Sequence, residues 1–199
     1  MKPAPVAVAL AFILSPARGL AADVHSAQVM ATNPQMQAIF VADQADRMTE
    51  PNVDFTVVAG RDAERRAATH KLLDQGALTT AGDYAAAAFV YQHGGASDDY
   101  LLAHVLAMTA VAKGDKASMW IATATLDRYL MTTGKAQVFG TQFTRPKATG
   151  QWTQEPYDRA LISDALRTEL GVPTQPAQAK QLADIAARTK PPPTPTAKP

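Results

Sequence analysis

The chain has 199 residues, with 19 Lys and Arg against 18 Asp and Glu, a net charge of +1, and no cysteine. Near-neutrality without a Lys/Arg cluster removes the electrostatic footprint of a nucleic-acid binder, so no nucleic acid is expected among its partners. Without cysteine there is no disulfide, thiolate metal site or lipid-modified amino-terminal Cys; stability must come from a core, and about 150 residues between the two ends suffice for one domain.

Residues 1–22 read as a signal peptide: Lys2 opens it, an apolar run follows from Val6 to Leu14, and Pro16 ends any helix begun there. Small residues at Gly19, Ala21 and Ala22 permit cleavage after Ala21 or Ala22. The apolar run is well short of the roughly 20 residues that span a bilayer. No second long apolar stretch follows, so no membrane span is expected after cleavage. The reading is a periplasmic or secreted protein, in a compartment that does not supply ATP or nicotinamide; no cofactor is expected, and binding or hydrolysis is favoured.

Residues 23–32 read as a flexible linker and 33–171 as a helical domain. Asn33 caps a first helix with Pro34 at its first position, and Met36, Ile39 and Phe40 recur at helical spacing up to Met48. A second helix runs from Asp62 to Gln75, ended by Gly76; a third, capped by Thr79 or Thr80, runs to His93 before Gly94-Gly95. Ser97-Asp98-Asp99 opens a fourth, whose Leu101, Leu102, Val105, Leu106, Met108 and Val111 cover nearly every face and predict the buried central helix. A fifth passes Met119, Trp120, Leu126 and Leu130 to Gly134, and a sixth runs from Asp158 to Leu170. Between them, 136–157 reads as one ordered loop with room for a short strand. Residues 172–199 read as a Pro-rich tail with room for a short helix. The fold expected is all-α, a compact bundle of about six helices.

Polar residues on inward faces are the candidate site. Met36, Phe40, Asp43 and Arg47 share one stripe with Gln44 beside it, and Asp43 and Arg47 are spaced to pair. Asp62, Arg66 and His70, with Arg65 beside them, read as a solvated face. Counted from the Gly114 turn, His104 and Asp127 lie at nearly the same level of a helical hairpin and on inward faces; a buried pair of this kind holds an imidazole as a general base. His93 stands at a helix carboxyl end, where a cap is the simplest role. His70, His93, His104 and Asp127 have none of the close spacings of zinc sites, so no metal is expected. Gly-x-Ser-x-Gly, phosphate loops and dinucleotide fingerprints are missing.

The order Asp43-Gln44-x-Asp46-Arg47, Asp62-x-x-Arg65-Arg66, Tyr91-Gln92-His93-Gly94, Leu102-Ala103-His104, Leu126-Asp127-Arg128 and Phe139-Gly140-Thr141-Gln142 resembles an uncharacterised bacterial helical domain family over about residues 34–145. Residues 103–126 also resemble the helix hairpins of tetratricopeptide and Sel1-like repeats. The first resemblance implies a shared polar cluster and no mechanism. Together the readings predict a pocket in which His104, Asp127 and Asp43 carry catalysis and Arg47, Gln44, His93 and Gln142 bind ligand. Two functions follow: an exported helical binding protein for an unknown protein or small-molecule ligand, or an extracytoplasmic acid–base hydrolase.

Overall fold

The computed structural model describes residues 29–48 and 55–189; residues 1–22, read from the sequence as a signal peptide, and the last ten residues fall outside the described residues. The helices are α1 (Pro34–Met48), α2 (Phe55–Asp74), α3 (Ala81–Tyr91), α4 (Ser97–Ala112), α5 (Met119–Thr132), α6 (Asp164–Glu169) and α7 (Gln175–Arg188), with a 3-10 turn, Lys116–Ser118, before α5. No strand occurs among the described residues, and the all-α bundle read from the sequence is the fold observed. The long loop instead carries two isolated bridges, Gln137 to Tyr157 and Thr144 to Thr153.

The buried centre is α3, not α4. Every residue from Ala85 to Tyr91 is buried, and α3 packs on α1, α2 and α4. The run Ala85–Ala88 explains the exchange: methyl side chains let neighbouring helices approach on all sides, which the bulkier α4 does not allow. On α4 only Tyr100, Ala103, Leu106, Ala107 and Ala110 are buried, while Leu101, Val105 and Met108 face solvent. Phe40 of α1 meets Phe89 of α3 edge to face, with ring centres 5.7 Å apart.

The start of α3 is set by one carboxylate. Asp83 accepts from the backbone N–H groups of Thr32 and Asn33 (both 2.8 Å), Thr79 (3.0 Å) and Thr80 (2.9 Å), while Thr80 caps the helix in return. This ties the segment entering α1 to the α3 start, and Val29, in the stretch assigned to a linker, is buried.

α2 begins at Phe55, seven residues before Asp62, so Asp62 sits in mid-helix. The predicted sixth helix is shorter than expected: residues 158–163 form turns, and Ser163 caps α6. Beyond it lies α7, 14 residues long with Pro176 in its first turn, inside the segment divided off as tail. Its Gln178 donates to the Phe139 carbonyl (2.6 Å) and accepts from the Tyr157 hydroxyl (2.8 Å), fastening α7 to the long loop. Fully buried Arg167 donates to the carbonyls of Phe139 (2.7 Å) and Val138 (3.2 Å). No helix among the described residues is long and apolar enough to cross a membrane.

Candidate functional site

The inward polar residues fall into two separate groups, and His104 belongs to neither. The first lies where α1, α2 and the carboxyl end of α3 converge. Asp43, fully buried, follows Met36 and Phe40 on the inward stripe of α1, one turn before the helix leaves the core. Arg47 Nη1 donates to Asp43 Oδ1 at 2.9 Å, the i,i+4 pair expected, and Arg47 Nη2 donates to Asp62 Oδ2 at 2.8 Å. Arg65 Nη1 donates to Asp62 Oδ1 at 2.9 Å, and its Nη2 pairs with Asp46. Gln44 Nε2 donates to Asp43 Oδ2 at 2.8 Å.

Asp62 and Arg65 are therefore not a solvated face. Both are buried, because the α2 side that carries them turns onto α1 and each finds an opposite charge there. His70, on the same predicted face, is 61 % exposed at its side chain and stays outside the group.

His93 joins this network from α3. Its Nδ1 lies 3.2 Å from Asp43 Oδ1, so the ring reaches across to α1 instead of capping its own helix. Burial pushes the imidazole below its ordinary value; Asp43 opposes this, and Arg47 and Arg128 add to it. Burial acts against the Asp43 carboxylate too, but His93, Arg47 and Gln44 outweigh it and hold the carboxyl below the usual carboxylate value. At neutral pH the arrangement is a neutral imidazole donating Nδ1–H to a carboxylate, which leaves a lone pair on Nε2. Nε2 has no partner among the described residues.

His93 lines an open cleft of about 280 Å³ together with Val58, Ala59, Asp62, Arg66, Gly94 and Gly95. The turn that forms one wall is fixed: Tyr100 donates its hydroxyl to the Gly94 carbonyl (2.7 Å), and Asp99 Oδ2 accepts from the N–H groups of Gly95 (3.1 Å) and Ala96 (3.2 Å). Gly94 is required here, since a Cβ would come within 2.2 Å of the Asp99 Cβ. Asp43, Gln44 and Arg47 stand behind His93 and Asp62 and do not line the cleft.

No family model, curated protein or solved structure matches the chain.

The second group anchors the long loop. Asp127, fully buried on α5, accepts from the backbone N–H groups of Val138 (2.8 Å), Phe139 (3.0 Å) and Thr141 (2.9 Å) and from the Thr141 hydroxyl (2.8 Å). Gln142 donates to the Ala124 carbonyl (3.1 Å) and accepts from Arg128 Nε (3.0 Å). Arg128 Nη1 continues to the Gln92 carbonyl (2.6 Å), so Gln142 touches the first group only through a guanidinium and a backbone atom. Burial pushes Arg128 down to about 10, with Tyr100 opposing and Arg47 adding, and it stays charged at neutral pH.

The pair expected between His104 and Asp127 does not form. His104 donates Nδ1–H to the Ala122 carbonyl at 2.8 Å, across the α4–α5 interface, and both oxygens of Asp127 are taken by the loop. Helical rise sets the level along the hairpin, but azimuth decides contact, and the two side chains leave α4 and α5 in different directions. Among the described residues no set of three His, Cys, Asp or Glu side chains converges as a metal site.

Proposed function

We propose that this chain is an exported binding protein whose cleft between α2 and the α3–α4 turn receives a small polar ligand. One observation carries the reading: His93, oriented by a buried Asp43, lines an open cleft while its Nε2 has no partner among the described residues. A concave site with small apolar walls and a few fixed polar groups is the usual form of a small-molecule site. Gly95 supplies a direct test, because a Cβ there meets nothing within 4 Å and its backbone is not in the left-handed region. Gly95→Leu is expected to fold as the parent does and to add a bulky side chain to the cleft wall that Gly95 forms. A small-molecule library read by thermal shift and isotope-edited NMR is expected to yield ligands that bind the parent and not Gly95→Leu. Ligands that bind both equally, or none for the parent, would remove the proposal.

The Asp43–His93 arrangement favours a second reading, an acid–base hydrolase in which His93 Nε2 takes a proton from water. It replaces His104 as the base. Hydrolytic activity abolished in His93→Asn and retained in His104→Asn would support it; equal loss in both, or no activity in the parent, would not.

A further inference from the structure

Resting on that reading of the cleft, we propose that its ligand carries an oxyanion, a carboxylate or a phosphate, set against Arg66, with a neighbouring hydroxyl donating to Nε2 of His93. The arginines around the buried charge network differ in what they have left to offer, and Arg61, joined to Asp46 through Nε at 2.8 Å, does not line the cleft. Arg47 spends Nη1 on Asp43 and Nη2 on Asp62. Arg65 spends Nη1 on Asp62 and Nη2 on Asp46 and the Ala42 carbonyl. Arg66 is held loosely: Nη1 reaches the His93 carbonyl at 3.3 Å, Nε stands 3.6 Å from Asp99 Oδ1, and Nη2 has no acceptor among the described residues.

A guanidinium with free donors matches the paired oxygens of a carboxylate or phosphate. The carboxylate in the same cleft, Asp62, is not available to a cation, because each of its oxygens already accepts from an arginine. The remaining walls, Val58, Ala59, Gly94 and Gly95, are small and uncharged. Selection therefore falls on Arg66 for charge and on His93 for a hydrogen-bond donor. Arg47, one of the ligand-binding residues expected from the sequence, is displaced from that role by its two carboxylate partners.

The test titrates the purified chain with glycolate, acetate, inorganic phosphate and tetramethylammonium, following the Gly94 and Gly95 amides by NMR and affinity by calorimetry. Glycolate is expected to bind about tenfold more tightly than acetate, the worth of one good hydrogen bond, and to lose that advantage in His93→Asn. Arg66→Gln is expected to weaken both by about tenfold or more, and Arg66→Lys, which keeps the charge without the fork, by less. Phosphate binding that depends on Arg66, without glycolate binding, also supports the oxyanion and identifies phosphate as its source. Gly95→Leu, which leaves both polar groups in place, is expected to abolish all of it. Oxyanion binding unchanged in Arg66→Gln, or amide shifts with tetramethylammonium alone, would overturn the proposal. Neutral ligands that bind the parent but not Gly95→Leu, with no oxyanion binding, would overturn the ligand class and leave the cleft reading standing. No ligand of any class would overturn both.

Discussion

Asp43 and His93, 50 residues apart in the chain, meet at 3.2 Å through Oδ1 and Nδ1, and their contact joins α1 to the carboxyl end of the central helix. The same Asp43 oxygen accepts from Arg47 at 2.9 Å, so one buried carboxylate both closes a charge network and orients an imidazole at a cleft.

Removing that charge is expected to be costly. Asp43→Asn leaves Arg47 with one carboxylate instead of two and His93 with a weaker acceptor, inside a site where side-chain exposure is 0 % for Asp43, 10 % for Arg47 and 16 % for His93. A loss of about 3 kcal/mol, the usual cost of breaking a buried pair, should appear in urea unfolding. An unchanged midpoint would mean that the network contributes nothing net.

Stability should depend on pH through His93. Its folded value lies below the ordinary imidazole value of 6.5, first because of burial, against Asp43 and with Arg47 and Arg128. The unfolded chain therefore binds the proton first as pH falls, so this contribution is complete above about pH 6.5 and declines below it until the folded imidazole also protonates. Asp62 and Arg66 stand in the same cleft. Unfolding midpoints at pH 7.5 and 5.5 should differ less in His93→Gln than in the parent.

Asp83 makes the opposite use of a carboxylate. Burial works against its charge, but the N–H groups of Asn33, Thr80 and Thr79 outweigh it and hold the carboxyl far below the usual range. A depressed carboxyl contributes stability above its unfolded value of about 3.9 and loses it as pH falls through the folded value. Asp83→Asn is expected to cost about 3 kcal/mol at pH 7, since hydrogen bonds to a charge are replaced by an amide that cannot accept all of them. The variant should also lose the part of the parent's acid sensitivity that belongs to this group.

Asp127 is assigned to the loop and not to chemistry. In Asp127→Asn the amides of Val138, Phe139 and Thr141 should exchange with solvent much faster, while the Gly94 and Gly95 amides of the cleft keep their protection. Gly140→Ala tests the same loop from the other side: Gly140 has φ +68°, and a Cβ there would lie 2.5 Å from the Tyr157 ring. A cost of about 2 kcal/mol is expected from strain and overpacking.

Local periodicity made the Met36–Phe40–Asp43–Arg47 stripe legible, because every member lies within three or four residues of the next and burial follows from the pattern. It did not reveal His93, whose partner is 50 residues away and whose ring points across to another helix; Tyr91-Gln92-His93-Gly94 was singled out as a motif, and its meaning needed the third dimension. Asp62 and Arg65, whose spacing reads as a solvated face, are buried because their partners Arg47 and Asp46 lie on α1, 15 and 19 residues away in the chain. α7 occupies the segment read as a tail with room for a short helix, where Gly171 and Pro173 end one helix and Thr174 and Pro176 begin the next. The large residues of α4 point to the wrong central helix, because small side chains such as the Ala85–Ala88 run mark the helix others pack around, whereas several large residues of α4 mark a face left open.

The most direct test of the account is the protonation state of His93, read by long-range proton–nitrogen NMR correlation at pH 7 with His93→Gln for assignment. The ring is expected to be neutral with the proton on Nδ1, held by Asp43, and with an unprotonated Nε2 whose resonance moves when a ligand enters the cleft. A proton on Nε2, or a doubly protonated ring at that pH, would contradict it.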